Sequence, residues 1–391
     1  MVKATVEEAL DAFRRGEMVI LVDDEDRENE VDLVVAAELC TAEHINFMAT
    51  HGRGLICLTL TNERLRELDL PMMVEDNTAS FGTAFTVSIE ARQGVTTGIS
   101  AADRAHTIRV AVDEAPKPWD LVRPGHIFPL RARDGGVLER TGQTEGSVDL
   151  AKLSGLKPAG VICEILNDDG TMSRMPDLEV FGKKHNIPIV TVADMIQYRL
   201  AQETLVEKVM EVPYPTATSQ DWVLHCYRDV VDGGEHFVFT LGDLRENDEP
   251  VLVRVQHQCT IGDVFQGVEA NCGWQLHGSM EMIAKEGRGI LVYLQKKEHS
   301  RFHAVQKYVL HEKRSVTDGM TTDEYEKYLN RPKPEFRAFG IGAQLLGDQG
   351  VRKVRILNNF KVQLVGLEAY GLEVVDMVQI EEPAYIRNAR K

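Results

Sequence analysis

The chain opens with a helical pattern of polar and apolar residues, followed by a short continuous apolar run. Thr5 can cap a helix, Glu8 completes a capping box three residues later, and Gly16 ends the periodic stretch. The apolar face of this helix consists of Ala9, Leu10 and Phe13. The run that follows predicts a buried strand over Met18–Val22, because apolar residues occupy every position without alternation.

The same alternation of strand and helix continues to about residue 200. Apolar runs predict strands at Gly54–Leu60, Ala159–Leu166 and Ile187–Val192. Periodic stretches predict helices at Glu63–Leu68, Asp177–His185 and Ala193–Ala201. Strands that alternate with helices indicate a mixed α/β (α+β) domain.

A second domain is predicted after a junction in the region 202–221. Glu203–Glu211 could extend the preceding helix, but Pro213 and Pro215 then break the pattern. Strands are expected at Trp222–Tyr227, His236–Leu241 and Val251–Val255, and helices at Gln275–Glu286 and near Gly342–Gln349. We therefore divide the 391 residues into two domains, 1–202 and 203–391.

Composition limits the classes of partner. With 43% apolar and 27% charged residues, the chain has the composition of a soluble globular protein. A net charge of −17 argues against nucleic acid and anionic membranes as partners. The sequence predicts no membrane span and no secretory signal. Six scattered cysteines without a CxxC pair favour a reduced compartment, so we expect the protein in the cytoplasm.

An acidic cluster directly follows the first predicted strand. Positions 23–30 hold six carboxylates and one arginine. Crowded carboxylates repel one another unless a positive group offsets their charge, and a divalent metal with oxygen ligands would do so. A solvated acidic loop is the alternative interpretation, and this segment alone does not decide between the two.

Three further segments carry candidate chemistry. His126 follows Pro-Gly, Arg140 precedes Thr-Gly, and Glu164 ends an apolar run. Each has an ordinary structural interpretation: a loop histidine with satisfied hydrogen bonds, a turn, and an ion-paired strand residue.

Together these segments resemble one enzyme family. The segments are Asp-Asp-Glu-Asp-Arg-Glu-Asn-Glu at 23–30, Leu-Pro-Met-Met-Val at 70–74, Gly-Val-Thr-Thr-Gly-Ile-Ser-Ala-Ala-Asp-Arg at 94–104, Arg-Pro-Gly-His at 123–126 and Asn-Asp-Asp-Gly-Thr-Met at 167–172. In this order they are similar to 3,4-dihydroxy-2-butanone 4-phosphate synthase of riboflavin biosynthesis, over about residues 1–200. The family is a lyase that converts D-ribulose 5-phosphate into 3,4-dihydroxy-2-butanone 4-phosphate and formate.

The resemblance implies a role for each candidate residue. It implies catalytic acid and base roles for His126 and Glu164, with Glu164 also contacting the substrate. Substrate contacts are implied for Arg27 and Asp32, and phosphate contacts for Arg140 and Thr144. It further implies a magnesium or manganese ion held by Glu28 and a site formed at a homodimer interface.

This chain departs from the family pattern at two positions. Val31 replaces a glycine, and Gln143 replaces a metal-binding histidine. A glutamine amide oxygen can still bind a hard cation, so we assign Gln143 as the second metal ligand. It cannot carry a proton as an imidazole does.

Residues from about 205 to 391 resemble GTP cyclohydrolase II, which opens the guanine ring with a zinc-bound water. Segments such as Glu286-Gly-Arg-Gly-Ile290 and Gly340-Ile-Gly-Ala-Gln-Leu-Leu346 carry the similarity. The three cysteines of that family correspond here to Cys259, Ala270 and Cys272, which leaves a catalytic zinc one ligand short. Glu269 replaces an expected arginine, and the substrate loop is changed at 295–303. We therefore expect an inactive second domain without zinc.

Two other hypotheses stay open at this stage. Gln143 could have inactivated the first site too, which would make the chain a regulatory or binding paralogue. Alternatively, an unseen ligand such as His257 could preserve residual cyclohydrolase activity.

Overall fold

The computed structural model describes residues 3–23, 30–79, 81–115, 117–244, 249–265, 272–295, 335–359, 371–383 and 386–387. The chain forms two compact units, Met1–Tyr198 and Arg199–Lys391. Each unit is a mixed α/β structure with its own sheet. No helix within the described ranges is both long and apolar enough to cross a membrane.

The first unit alternates helices and strands along the chain. Its helices are α1 (Val6–Arg14), α2 (Ala42–Phe47), α3 (Asn62–Glu67), α4 (Ala101–Ala111), α5 (Gln143–Leu153), α6 (Met175–His185) and α7 (Val192–Gln202). Its strands are β1 (Val19–Val22), β2 (Val31–Ala36), β3 (Cys57–Leu60), β4 (Ile89–Ala91), β5 (Leu121–Arg131), β6 (Ala159–Glu164) and β7 (Ile189–Thr191).

The first helix begins and ends where its sequence predicts. Thr5 Oγ1 accepts a hydrogen bond from Glu8 N at 3.2 Å, and Thr5 N donates to Glu8 Oε2 at 2.9 Å. This capping box satisfies two backbone groups that a helix start leaves unpaired. Ala9, Leu10 and Phe13 are buried, so the predicted apolar face is confirmed.

The strands of the first unit are paired in the order β4-β5-β3-β6-β2-β1-β7, counted over the described residues. β1 pairs antiparallel with β2 and parallel with β7. Every residue of β1 and β2 is buried, which confirms the buried strand predicted before the acidic cluster. Val31, which replaces the family glycine, starts β2 opposite Val22 and is 1% exposed. A β-branched residue suits that buried strand position.

The second unit contains a sheet of mixed direction. Its strands are β8 (Val206–Pro213), β9 (Val223–Asp229), β10 (Glu235–Leu241), β11 (Val251–His257), β12 (Gly289–Leu294), β13 (Lys353–Leu357) and β14 (Glu373–Val378). Its described helices include α8 (Thr260–Phe265), α9 (Cys272–Glu286) and α10 (Glu335–Asp348). The strand order among the described residues is β14-β13-β11-β12-β10-β9-β8. Val253, Val292 and Leu345 lie in its main hydrophobic cluster.

One segment of the junction differs from its predicted structure. The extension of the helix over Glu203–Glu211 is wrong, because α7 ends at Gln202 and β8 occupies Val206–Pro213. β8 pairs antiparallel with β9, from Val206 opposite Asp229 to Pro213 opposite Val223. The strand lies at the sheet edge with most side chains exposed, so it lacks the apolar alternation of a half-buried strand. Backbone pairing with β9 decides its conformation instead.

Candidate active site

The predicted acids Asp32 and Glu164 lie side by side on the sheet of the first unit. The strand register places Asp32 opposite Leu21 on β1 and opposite Glu164 on β6. Residues directly opposite each other on neighbouring strands point to the same face. Asp32 is 3% exposed, whereas Glu164 is half-buried at the end of its strand. The pair therefore joins a desolvated carboxylate to one that solvent or a ligand can reach.

The same register extends toward His126 on β5. Cys57 on β3 lies opposite both Phe128 on β5 and Ile162 on β6. Both pairings end at Cys57, and His126 and Glu164 each lie two residues beyond them, at the same end of the sheet. Asp32, Glu164 and His126 are up to 132 positions apart in sequence, and strand pairing brings all three to this end of the sheet. We refer to these three residues as the row.

Glu164 is fixed by the backbone of the segment that precedes β3. Leu55 N donates a hydrogen bond to Glu164 Oε2 at 2.8 Å. A Cβ atom added at Gly54 would come within 2.7 Å of the Glu164 backbone N and O atoms. Only glycine allows this close approach, so Gly54 contributes to the site through its missing side chain.

The acids also influence the buried thiol of Cys163. Burial raises the pKa of Cys163 to about 12, and the neighbouring carboxylates of Glu164 and Asp32 act in the same direction. The charge of Arg104 on α4 opposes this shift. The thiol therefore stays protonated at neutral pH, and the region around Asp32 and Glu164 is electronegative. Such a region favours a bound cation.

Helix α5 brings Gln143 and Thr144 to the same face of the sheet. Ser147 Oγ lies 2.7 Å from Thr59 Oγ1 on β3, and Gly146 packs so tightly on Leu21 that a Cβ there would overlap the leucine. Leu21 is the register partner of Asp32. The first turn of α5 therefore lies over the acidic pair. Gln143 and Thr144 are 5% and 7% exposed.

Arg140 is held just before this helix by Glu145. Arg140 Nη1 donates to Glu145 Oε2 at 2.7 Å, and Glu145 Oε1 accepts from Arg133 N at 3.1 Å. Burial raises the pKa of Glu145, although the charge of Arg140 opposes that shift. The guanidinium thus has a fixed orientation beside the N-terminal backbone amides of α5, which attract anions.

His126 has a partner that the sequence analysis missed. Its Nδ1 atom lies 2.5 Å from Oε2 of Glu90, a residue of β4 that is 8% exposed. The available signal was a carboxylate inside the strand-like text Val87-Ser88-Ile89-Glu90-Ala91, where a buried charge requires a partner. Local sequence could not identify that partner, because His126 is 36 residues away.

The remaining predicted site residues, Arg27 and Glu28, lie outside the described residues. Among those that are described, no three His, Cys, Asp or Glu side chains are grouped so that they could hold a metal ion. The first unit does offer hard oxygen donors of the kind that magnesium prefers. Asp32 and Glu164 lie opposite each other, and Gln143 is the first residue of the helix that packs on Leu21. The chain enters and leaves the acidic loop beside Asp32, at Val22 and Val31.

In the second unit the two candidate zinc ligands, Cys259 and Cys272, are reduced thiols that are hydrogen-bonded to each other. A side-chain hydrogen bond from Cys259 raises the pKa of Cys272, and burial adds to the shift. The nearby carboxylate of Asp263 accepts three hydrogen bonds, from Cys259 N at 2.8 Å, Tyr293 OH at 2.7 Å and Gln256 Nε2 at 3.1 Å. His257, the other candidate ligand, is exposed at the end of β11.

Arg337 on α10 is also engaged within the second unit. Its Nη2 donates to Asp229 Oδ2 at 2.7 Å, and its Nη1 lies 3.0 Å from Asp232 Oδ2. Asp229 is 1% exposed. Two carboxylates thus neutralise the arginine.

Comparison with known proteins gives a consistent result over the whole chain. The family model of 3,4-dihydroxy-2-butanone 4-phosphate synthase matches residues 7–198, and that of GTP cyclohydrolase II matches residues 207–379. The riboflavin biosynthesis protein RibBA of Aquifex aeolicus is 54% identical, covering 96% of this chain and 92% of that protein. RibBA of Bacillus subtilis is 47% identical, covering 98% and 95%.

A solved structure of a two-domain protein is similar to this chain over nearly its whole length. It is RibBX from A. baumannii, described as a two-domain 3,4-dihydroxy-2-butanone 4-phosphate synthase. It is 38% identical, with a TM-score of 0.77, and the match covers 97% of this chain and 100% of that one. The chain belongs to the family of two-domain riboflavin biosynthesis proteins, and it is a lyase with a 3,4-dihydroxy-2-butanone 4-phosphate synthase domain followed by a GTP cyclohydrolase II-like domain.

Proposed function

We propose that the synthase reaction takes place on the row of His126, Glu164 and Asp32, within a domain that spans residues 1–202. The reaction needs a base that takes a carbon-bound proton to form an enediol, and acids that help to expel water. His126 and Glu164 supply these proton transfers. The single observation that supports this assignment is the strand pairing, which sets Asp32 opposite Glu164 and leaves Glu164 and His126 at the same end of the sheet.

The substrate phosphate binds at the start of α5. Arg140 is pre-oriented by Glu145, and Thr144 lies in the first helical turn. A guanidinium and the free N–H groups of a helix start both stabilise a phosphate. Asp32 and Arg27 contact the sugar portion. Because the overall charge of the protein is −17, this local positive potential is what attracts an anionic substrate.

A magnesium or manganese ion completes the site. Glu28 and Gln143 would hold it, and both supply the oxygen donors that these hard cations require. When bound, the ion polarises vicinal sugar oxygens during the change of the carbon skeleton. We propose that the enzyme works as a cytoplasmic homodimer, without nucleic-acid or membrane partners.

We further propose that the second domain, residues 203–391, has no GTP cyclohydrolase II activity. A catalytic zinc needs three protein ligands, whereas the sequence supplies only two of the expected cysteines. Asp263 is a poor third ligand, because its carboxylate already accepts three hydrogen bonds that would compete with a metal ion. The donor set therefore does not fit a catalytic zinc ion. The domain remains as a folded scaffold.

The test measures formate release by the purified full-length protein. Ribulose 5-phosphate with magnesium is the main reaction, with a metal-free control and a GTP reaction containing added zinc. We expect metal-dependent formate from the sugar phosphate alone, and no stoichiometric zinc in the protein. Formate from GTP would refute the inactive second domain. A folded protein that produces no formate from ribulose 5-phosphate would refute the synthase assignment and favour a regulatory or binding role.

A further inference from the structure

Glu90 occupies a position that suits an orienting carboxylate. It lies on β4 opposite Val122 of β5, at a shift in the pairing that leaves residues 123–126 between this pair and Ile89 opposite Ile127. From there its side chain reaches His126. Its side chain is 11% exposed, whereas that of His126 is 44% exposed. The nitrogen that contacts Glu90 is Nδ1. This contact occupies Nδ1 and leaves Nε2 out of it.

The Glu90 carboxylate is itself fixed from two other directions. Thr107 on α4 donates its hydroxyl to Glu90 Oε1 at 3.3 Å. Gly98 passes so close that an added Cβ would overlap the carboxylate. Gly98 has a φ of 88°, in the left-handed region that favours glycine, and its N–H donates to Asp103 Oδ2 at 3.1 Å. The carboxylate is thus held in place before any substrate binds.

We infer that Glu90 is a positioning residue of the synthase reaction: it accepts the Nδ1–H of His126, fixes the ring, and leaves Nε2 as the nitrogen that exchanges protons with the sugar phosphate. This inference rests on the proposed acid–base role of His126. A carboxylate that orients an imidazole selects one tautomer and one ring orientation, and its loss lowers turnover more than substrate binding. We expect the pair to contribute little to stability as a plain ion pair, because nearly half of the imidazole side chain is exposed to water.

The first test compares Glu90→Gln with Glu90→Asp. The amide removes the charge and can donate to Nδ1, which selects the wrong tautomer, so we expect kcat to fall about 10–100-fold with KM within about two-fold. The shorter carboxylate of Glu90→Asp should recover part of this loss. Glu38→Gln is the matched control. Its carboxylate accepts a hydrogen bond from Lys157 N at 3.0 Å, outside the site, so turnover should not change.

A double-mutant cycle separates positioning from an independent effect. If Glu90 acts through His126, Glu90→Gln/His126→Gln should be no slower than His126→Gln alone. Fully multiplicative losses would overturn the inference while leaving the acid–base role of His126 intact. Wild-type turnover by His126→Gln would instead overturn that role, and the inference with it. Wild-type kcat in a folded Glu90→Gln protein would also overturn the inference.

A spectroscopic measurement does not depend on whether the Glu90 variants fold. In 15N-histidine-labelled wild-type protein, the neutral His126 ring should carry its proton on Nδ1, as seen in side-chain 1H–15N correlation spectra. The signal is assigned by its loss in His126→Gln. A neutral ring protonated on Nε2 would contradict the proposed hydrogen bond. In Glu90→Gln we expect the tautomer ratio to shift toward Nε2–H.

Discussion

The two units differ in how their polar residues are used. In the first, Glu164 is half-buried at the end of β6, and Arg140, paired with Glu145, keeps 20% of its side chain exposed. In the second, Arg337 is neutralised by Asp229 and Asp232 and is 15% exposed, while Asp263 accepts three hydrogen bonds from neighbouring groups. Polar groups oriented toward a ligand indicate chemistry, whereas polar groups that satisfy one another indicate structure.

Under the proposal that the second unit lacks cyclohydrolase activity, the comparison explains how its fold persists without that chemistry. The core of the second unit depends on strand residues such as Val253 and Val292, not on the cysteines near the end of β11. Hydrophobic burial is non-directional and tolerates changes elsewhere in the unit. A zinc site requires a complete ligand set, so a single replacement such as Ala270 is enough to lose it.

The largest expected effect is at Glu164. Glu164→Gln should lower formate release from ribulose 5-phosphate by about 10²–10⁴-fold, because the amide cannot transfer the proton. The amide oxygen can still accept the hydrogen bond from Leu55 N, so the thermal unfolding temperature should change little. Wild-type turnover in this variant would show that the row is not catalytic. The two units would then no longer differ in how their polar residues are used.

Glu28→Gln should act on metal binding. Replacing a carboxylate by a neutral amide weakens a hard-cation site, and we expect the magnesium concentration for half-maximal activity to rise at least about 10-fold. Titration of formate release with magnesium measures this shift, and manganese binding by calorimetry checks it independently. Glu75→Gln, a change at an exposed position outside the proposed site, is the control. An unchanged magnesium requirement would contradict the ligand assignment.

Asp229→Asn should affect stability without affecting the synthase. Removing the buried partner of Arg337 should destabilise the second unit by about 3 kcal/mol, measured by chemical denaturation. Formate release from ribulose 5-phosphate should stay at the wild-type level. Loss of that activity in a folded variant would show that the second unit takes part in the reaction.

The contribution of Asp229 to the free energy of unfolding changes with pH in a direction that its pKa shift determines. Burial acts to raise the pKa of Asp229, but hydrogen bonding with His236 and the charge of Arg337 outweigh it and hold the pKa below its ordinary value. A depressed carboxylate pKa stabilises the folded state above the unfolded pKa of about 3.9, and the contribution is lost as the pH falls through the lower folded value. The difference in unfolding free energy between wild type and Asp229→Asn should therefore be constant near neutral pH and shrink below about pH 4.

The smallest expected effect is at Gln143. Gln143→His should retain activity within about three-fold, because both side chains can bind the metal at the first residue of α5. Kinetics with magnesium and manganese would check this. A large loss of activity would show that the glutamine has a role of its own in the first unit.

Much of the first unit could be predicted from its sequence, and the reasons are local. The capping box of Thr5 and Glu8 and the apolar run of β1 each depend on neighbouring residues only. Glu90 was missed because its partner lies far away in sequence, and β8 was missed because an exposed edge strand has no apolar alternation. Of the eight predicted site positions, Arg27 and Glu28 lie outside the described residues, so their roles stay predictions.

The sequence by itself determined which chemical groups this protein has and the order of its motifs. It also showed that Gln143 stands in place of a family histidine and Ala270 in place of a family cysteine, and it predicted most helices and strands. Only the tertiary structure decided which of these groups meet. Strand register set Asp32 opposite Glu164, strand pairing left His126 at the same end of the sheet, and the Glu90 side chain of β4 reaches the imidazole. The physical reason is that periodicity and capping act over a few residues, whereas sheet pairing and desolvated carboxylates join segments that are far apart in the chain.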